Sequence, residues 1–237
     1  MNEDTPSPTK EQLGFNPERY SLEEMLKPKR CALIIIDMQK DFMDPEGFFA
    51  KKDRDVSQMQ SIVPNIQKLI DSARLANIPI IFTQGSEDVK FRKGKADKRR
   101  AVKWKETDTN PENMNSLRGT SGWEFYGVHP QEGDIVIEKH KWSAFDGKDK
   151  DGNNLRKILK IHDTSTLIIT GVVAETCVET TIRDAYSKKH PSYNIIIPEN
   201  SVGSDHPERL KMLMDYWAVG HIGDVVNESA IQERWPA

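Results

Sequence analysis

TLIITGVVAETCVETTIRD, residues 166–184, decides the fold: a β-branched apolar run passes through Gly171 into a short loop, and a helical pattern begins at Cys177. A strand that turns tightly into a helix leaves backbone N–H groups free to hold an anion or an oxyanion. The same local field favours the thiolate of a cysteine at that position, so Cys177 is a candidate nucleophile. The alternative is a small buried apolar residue, since free cysteine is among the residue types most often buried.

Apolar runs and helical patterns alternate along the rest of the chain. CALIIID at residues 31–37 is apolar almost throughout, which is typical of a strand buried on both faces of a parallel sheet. The alternation predicts an α/β fold, a doubly wound (Rossmann-like), mostly parallel sheet with helices on both faces. We expect one domain over residues 28–237, preceded by an N-terminal arm over residues 1–27. Further strands are predicted at 78–84, 134–139, 167–170, 193–199 and 221–226, and helices at 21–26, 56–76, 155–161, 177–188 and 207–217.

The composition excludes several classes of protein. The chain has 34 basic and 37 acidic residues among 237, a near balance that gives no reason to expect nucleic acid or a membrane surface as a partner. No apolar run is long enough to cross a bilayer, and the polar first residues do not resemble a signal peptide. Two cysteines, Cys31 and Cys177, make no disulfide framework and fit a reducing compartment, so we expect a cytoplasmic protein.

A long irregular stretch, residues 85–133, separates two of the predicted strands. Its length predicts a lid or a substrate-facing excursion. The basic run inside it, residues 90–105, is interpreted as a solvated surface loop, and the alternative is a site for a phosphate or a carboxylate. By position alone, five residues are candidates for a substrate pocket, although a packing role is equally compatible with each: Gln39, Phe42, Gln84, Trp123 and Trp142.

Three reactive side chains, Asp37, Lys139 and Cys177, each stand at or just beyond the end of a predicted strand. A doubly wound sheet brings the carboxyl ends of its strands to one rim, so these side chains are expected to meet. The cation would favour the thiolate, and the carboxylate can take the thiol proton and pass it to a leaving group. The alternative is a buried Asp–Lys ion pair beside an inert cysteine.

Three segments carry a family resemblance: DMQKDF at residues 37–42, KHKWSAF at 139–145 and GVVAETCVETTIRDA at 171–185. They resemble, in order, the signature segments of the isochorismatase-like cysteine hydrolases, and the similarity extends from about residue 28 to residue 226. It implies that Asp37 is the base, Lys139 the cation and Cys177 the nucleophile.

The resemblance also implies an oxyanion hole made by the backbone N–H groups of Ala174 and Cys177. A cis peptide bond is implied between Val173 and Ala174. Family members are commonly dimers or tetramers, so a homo-oligomer is expected. The last long helix, with Met212, Leu213 and Trp217, is either an interface or part of the core.

Differences among family members indicate the reaction. Nicotinamidases bind a metal through an Asp-x-His pair and a further histidine, whereas this chain has only His129 between Asp37 and Lys139, so no metal and no cofactor is expected. Isochorismatases that cleave a vinyl ether typically carry glycine where Cys177 stands, so the cysteine favours C–N cleavage.

Segments 46–57, 122–125 and 130–139 resemble the ureidoacrylate amidohydrolases, which implies a small ureido or carbamoyl substrate. A biuret hydrolase, an N-carbamoylsarcosine amidase, a vinyl-ether hydrolase and a non-catalytic thiol sensor are the alternatives.

Overall fold

The computed structural model of the chain describes residues 21–86, 114–187, 193–219 and 222–235. Within them, one parallel sheet has the strand order β3-β2-β1-β4-β5-β7, and β6 pairs with β4. This confirms the predicted doubly wound fold. Its strands are β1 Cys31–Ile36, β2 Ile80–Gly85, β3 Ile135–Lys139, β4 Thr166–Val172, β5 Asn194–Pro198, β6 Val202–Gly203 and β7 Asp224–Val226.

The helices connect these strands. The predicted helix over 56–76 is two helices that meet at Ile62, because Pro64 has no N–H to donate and so occupies the first turn of the second one. β6 was not predicted, since a strand of two residues has no period to detect. The helices are α1 Leu22–Met25, α2 Lys40–Met43, α3 Ser57–Ser61, α4 Val63–Leu75, α5 Leu155–Ile161, α6 Glu179–Ser187, α7 Pro207–Val219 and α8 Glu228–Gln232.

Hydrophobic clusters cover both faces of the sheet. On β1, Leu33 and Ile35 face one cluster while Ile34 and Ile36 face the other, and all are fully buried. A strand with apolar packing on each side needs no polar alternation, which explains the continuous apolar run in the sequence. Cys177 belongs to the second cluster, where α5, α6 and α7 pack.

The first described residues pack on the domain. Ser21 caps α1 by accepting a hydrogen bond from the Glu24 N–H at 3.2 Å, and Met25 and Leu26 are buried in the core. The end of the predicted arm therefore belongs to the packed structure. Residues 1–20, the basic run 90–105 and most of the excursion, 87–113, lie outside the described residues.

The long helix α7 carries the three residues for which an interface and a core role were the alternatives. Of the three residues named on α7, Leu213 and Trp217 are buried in the core and Met212 is exposed, so the second alternative, a core role, describes most of this face. The homo-oligomer itself stays a prediction.

Among the described residues, every helix is too short or too polar to traverse a lipid bilayer.

Candidate active site

The site lies where the strand order reverses, between the central strands β1 and β4. Asp37 follows β1 directly, and β4 ends at Val172, after which Val173 leads into a π-helical turn, Ala174–Val178, that carries Cys177. Gly171 of β4 has φ +105°, and a Cβ there would lie 2.1 Å from the Ile36 carbonyl oxygen. Only glycine allows the two strands to approach this closely at the rim.

Two reactive side chains and one backbone carbonyl converge on the ammonium group of Lys139. Nζ of Lys139, the last residue of β3, lies 2.6 Å from Asp37 Oδ2 and donates to Cys177 Sγ at 3.3 Å. Nζ also donates a hydrogen bond to the Lys141 carbonyl at 3.1 Å. Asp37, Lys139 and Cys177 are 1 %, 2 % and 8 % exposed, so the ion pair is shielded from water. The predicted meeting of these side chains is confirmed geometrically.

Thr83 holds the carboxylate in place. Its hydroxyl donates to Asp37 Oδ1 at 2.7 Å, and the Asp37 N–H donates to the Thr83 oxygen at 3.2 Å. Asp37 has φ 48°, in the left-handed region, and the paired bonds fix this turn. Sequence reasoning missed Thr83, although it is the first polar residue after the apolar residues 80–82 of β2, and that was the signal.

Burial keeps the resting sulfur protonated. The pKa of the Cys177 thiol is raised to about 12. Burial is the largest cause and the negative charge of Asp37 the second, and the Lys139 ammonium only partly opposes these two effects. The expectation that the local field favours a resting thiolate was therefore wrong. For Lys139, burial disfavours the charge, but the neighbouring Asp37 and Cys177 raise the pKa above its ordinary value. The site therefore rests with a thiol beside an ammonium–carboxylate pair.

Alkylation by iodoacetamide should follow this protonation state. In a Cys31→Ala background, we expect Cys177 to react at pH 7 more slowly than free cysteine. The rate should rise steadily from pH 7 to pH 10 without a plateau, because the pKa of the thiol is about 12. Mass spectrometry of the alkylated protein measures this, and a plateau below pH 8 would contradict the raised pKa.

The pocket candidates divide into two groups. Gln39 is fully buried and donates through Nε2 to the carbonyls of Gly85 and Trp123, both at 3.0 Å. Gln84 donates to the same Trp123 carbonyl at 2.8 Å. These two glutamines therefore anchor Trp123 beside the strand ends, and the buried indole Nε1 of Trp123 has no hydrogen-bond partner among the described residues.

The other two candidates lie elsewhere. Phe42 is buried in the core and its ring packs edge-on against Phe49, with centroids 5.1 Å apart. A packing role is therefore a better interpretation of Phe42 than a role in the substrate pocket. Trp142 is 44 % exposed. Its place in a substrate pocket stays a prediction.

The cis peptide bond joins Val172 to Val173, one residue earlier than the resemblance implied. β4 continues to Val172, so the bond stands at the strand end and Val173 begins the turn. The Val173 carbonyl accepts from the N–H groups of Thr176 at 3.1 Å and Val178 at 3.3 Å. Those two donors are thus engaged, and the oxyanion hole of Ala174 and Cys177 stays a proposal.

One carboxylate–histidine group resembles a metal site. Glu175, Asp205 and His206 place potential ligand atoms within 4.8 Å of one another. However, Arg54 forms an ion pair with Asp205, and Arg209 lies 3.5 Å from Glu175, so cations of the protein already neutralise both carboxylates. The group connects the turn before Cys177 to the start of α7, and we assign it no metal.

The class of protein follows from this geometry: a doubly wound α/β enzyme with a thiol, a carboxylate and an ammonium in contact at its switch point. The family model described as the Isochorismatase domain matches residues 31–226 of this chain. The chain therefore belongs to the isochorismatase family of hydrolases.

Curated relatives cover most of the chain. It is 29 % identical to the ureidoacrylate amidohydrolase RutB of Pseudomonas syringae pv. syringae over 77 % of this chain and 74 % of that protein. It is 28 % identical to the RutB of Methylobacterium radiotolerans over 95 % of this chain and 88 % of that protein.

Solved structures share the fold. A cysteine hydrolase from Pseudomonas syringae pv. phaseolicola superposes with a TM-score of 0.72 at 24 % identity, covering 88 % of this chain and 93 % of that one. For N-carbamoylsarcosine amidase from Thermoplasma acidophilum the TM-score is 0.62 at 24 % identity, covering 84 % and 96 %.

Proposed function

We propose that this protein is a cysteine amidohydrolase that cleaves a C–N bond of a small ureido or carbamoyl compound. The observation that carries the proposal is the Lys139 ammonium, which contacts Asp37 Oδ2 at 2.6 Å and Cys177 Sγ at 3.3 Å. A nucleophile, a base and an orienting cation within one buried site are the components that acyl transfer needs. The proposed route uses these side chains without a metal or a cofactor.

In the first half of the reaction, Asp37 takes the proton of the Cys177 thiol as sulfur attacks the substrate carbonyl. Because the pKa of the resting thiol is raised to about 12, this transfer accompanies the attack and does not precede it. The N–H groups of Ala174 and Cys177 hold the developing oxyanion. The C–N bond then breaks, and Asp37 gives its proton to the departing nitrogen.

In the second half, water attacks the acyl thioester. Asp37 accepts a proton from that water, the C–S bond breaks, and the proton returns to sulfur. Lys139 keeps its positive charge throughout, because its raised pKa keeps the ammonium protonated, and it stabilises whichever neighbour is negative at each step.

The substrate class rests on the relatives. The proteins similar over most of the chain include ureidoacrylate amidohydrolases, and a neighbour of the same fold is an N-carbamoylsarcosine amidase. Both names describe compounds with a carbamoyl group on nitrogen. We therefore expect a small N-carbamoyl compound, with biuret as a further candidate.

A product assay tests the function. Wild type is incubated with ureido acids, biuret, N-carbamoyl amino acids and isochorismate, and ammonia and pyruvate are both measured. Ammonia from the nitrogen compounds supports the amidohydrolase. Pyruvate from isochorismate alone would identify a vinyl-ether hydrolase, and no product from any compound would favour a thiol sensor.

A further inference from the structure

Gly85, the last residue of β2, lies against the catalytic carboxylate. A Cβ added there would have three nearest atoms: Gln39 Oε1 at 3.4 Å, Asp37 Oδ2 at 3.5 Å and Asp37 Cγ at 3.7 Å. In the sheet, Gly85 pairs with Lys139, so it is adjacent to two members of the triad. The missing side chain leaves a methyl-sized volume beside Asp37.

Oδ2 is the oxygen that faces this volume and is available to move a proton. The other oxygen, Oδ1, accepts the Thr83 hydroxyl at 2.7 Å. Oδ2 has its ion pair with Lys139 but accepts no hydrogen bond of good geometry in the part of the chain that the structure describes. A buried carboxylate oxygen that can still accept a hydrogen bond usually has a donor as its partner. The departing nitrogen of a bound substrate can be that partner.

We propose that Gly85 is a specificity-determining position that makes room for a substituent on the departing nitrogen. The inference rests on the proposed function, taken with the substituted nitrogen as the one that departs: its C–N bond breaks, Asp37 protonates it, and the carbamoyl group stays on sulfur until water releases it as carbamate, which yields ammonia and carbon dioxide. The nitrogen must approach Oδ2 to receive the proton, so its substituent lies over Gly85. With any side chain at residue 85, the substituent and the new Cβ would compete for one volume.

Residue 85 can be substituted without loss of its backbone hydrogen bonds. Its N–H donates to Gln39 Oε1 at 2.8 Å, and its carbonyl accepts from Gln39 Nε2 at 3.0 Å. The nearest contacts of an added methyl, 3.4 to 3.7 Å, are ordinary van der Waals distances. Alanine therefore fits without moving the strand, and its main effect is to fill the space beside Asp37.

The test compares Gly85→Ala with wild type on two substrates that differ by one methyl group on the departing nitrogen. N-carbamoylglycine and N-carbamoylsarcosine are the simplest such pair, and the fastest ureido acid of the assay with its N-methyl homologue is the second. Wild type should hydrolyse both members of a pair. Gly85→Ala should lose about 10-fold more kcat/KM on the methylated member, as expected for one extra methyl in a filled pocket.

Ser86→Ala is the matched control. Ser86 is the next residue, is 3 % exposed, and its hydroxyl has no hydrogen-bond partner within the described ranges. This variant should leave the ratio between the two substrates unchanged. Thermal unfolding of both variants at the wild-type temperature confirms that the fold is intact.

The outcomes separate this inference from the proposed function. An equal loss on both substrates in Gly85→Ala, or a wild type that hydrolyses only the unmethylated member, overturns the role of Gly85 and leaves the amidohydrolase standing. A wild type that releases no product from any nitrogen compound overturns both.

Discussion

Cys177→Ala is expected to lower kcat/KM on the ureido compounds by about 10⁴-fold or more, because the atom that attacks the carbonyl is gone. The fold should survive the change. Lys139 keeps its contacts with Asp37 at 2.6 Å and with the Lys141 carbonyl at 3.1 Å, so no buried charge loses its main partner. Steady-state rates and circular dichroism measure the two effects.

The other cysteine supplies the control for this prediction. Cys31 is also buried, and burial raises its pKa to about 12, but its sulfur donates to the carbonyls of Met25 and Lys27 at the opposite end of β1. Cys31→Ala should therefore keep wild-type kcat. Undiminished turnover in Cys177→Ala would refute the covalent route.

Lys139→Met should cost about 3–5 kcal/mol of unfolding free energy and most of the activity. The substitution leaves Asp37, which is 1 % exposed, as a buried carboxylate without its cation. Turnover falls as well, because the ammonium that contacts both the base and the sulfur is missing. Denaturant titration and steady-state rates are the measurements.

A double substitution separates the two effects. Adding Asp37→Asn to Lys139→Met removes the uncompensated charge, and asparagine tolerates the left-handed backbone found at φ 48°. The double variant should recover stability to within about 2 kcal/mol of wild type, whereas activity stays lost because the base is gone.

An ion pair on the surface gives a reference value for the change in unfolding free energy expected of Lys139→Met. Nζ of Lys211 lies 2.6 Å from Asp215 on α7, with side chains 77 % and 66 % exposed. Lys211→Met should therefore change the unfolding free energy by less than about 1 kcal/mol. If Lys139→Met cost no more than this surface variant, the buried pair would not be holding the site together.

Most predictions that depended on local pattern were confirmed, although the helix predicted over 56–76 is two helices. The apolar runs of β1 and β4 identify buried parallel strands, because a strand packed on both faces has no polar alternation. The helix over 155–161 was predicted with its observed bounds, and Asn154 caps it. Asp37, Lys139 and Cys177 were placed at one rim because parallel strands share their carboxyl edge.

Predictions that depended on contacts between distant segments were only partly right. Phe42 and Trp142 occupy positions near strand ends, yet one packs in the core and the other is exposed. Sequence spacing cannot distinguish these outcomes, since each depends on which residues from other segments surround the side chain. Thr83, which holds Asp37, was missed although a polar residue that follows an apolar run was a signal in the sequence.

By itself, the sequence determined the sheet, its parallel sense and the three reactive residues at its rim, since the burial pattern of each strand is local and parallel strands share their carboxyl edge. The tertiary structure alone decided how they meet: the strand order places β2 between β3 and β1, and the Lys139 side chain reaches past β2 to Asp37 and Cys177. It also decided the protonation of Cys177, because the pKa of a thiol depends on how completely the folded chain excludes water and on which charges lie beside the sulfur.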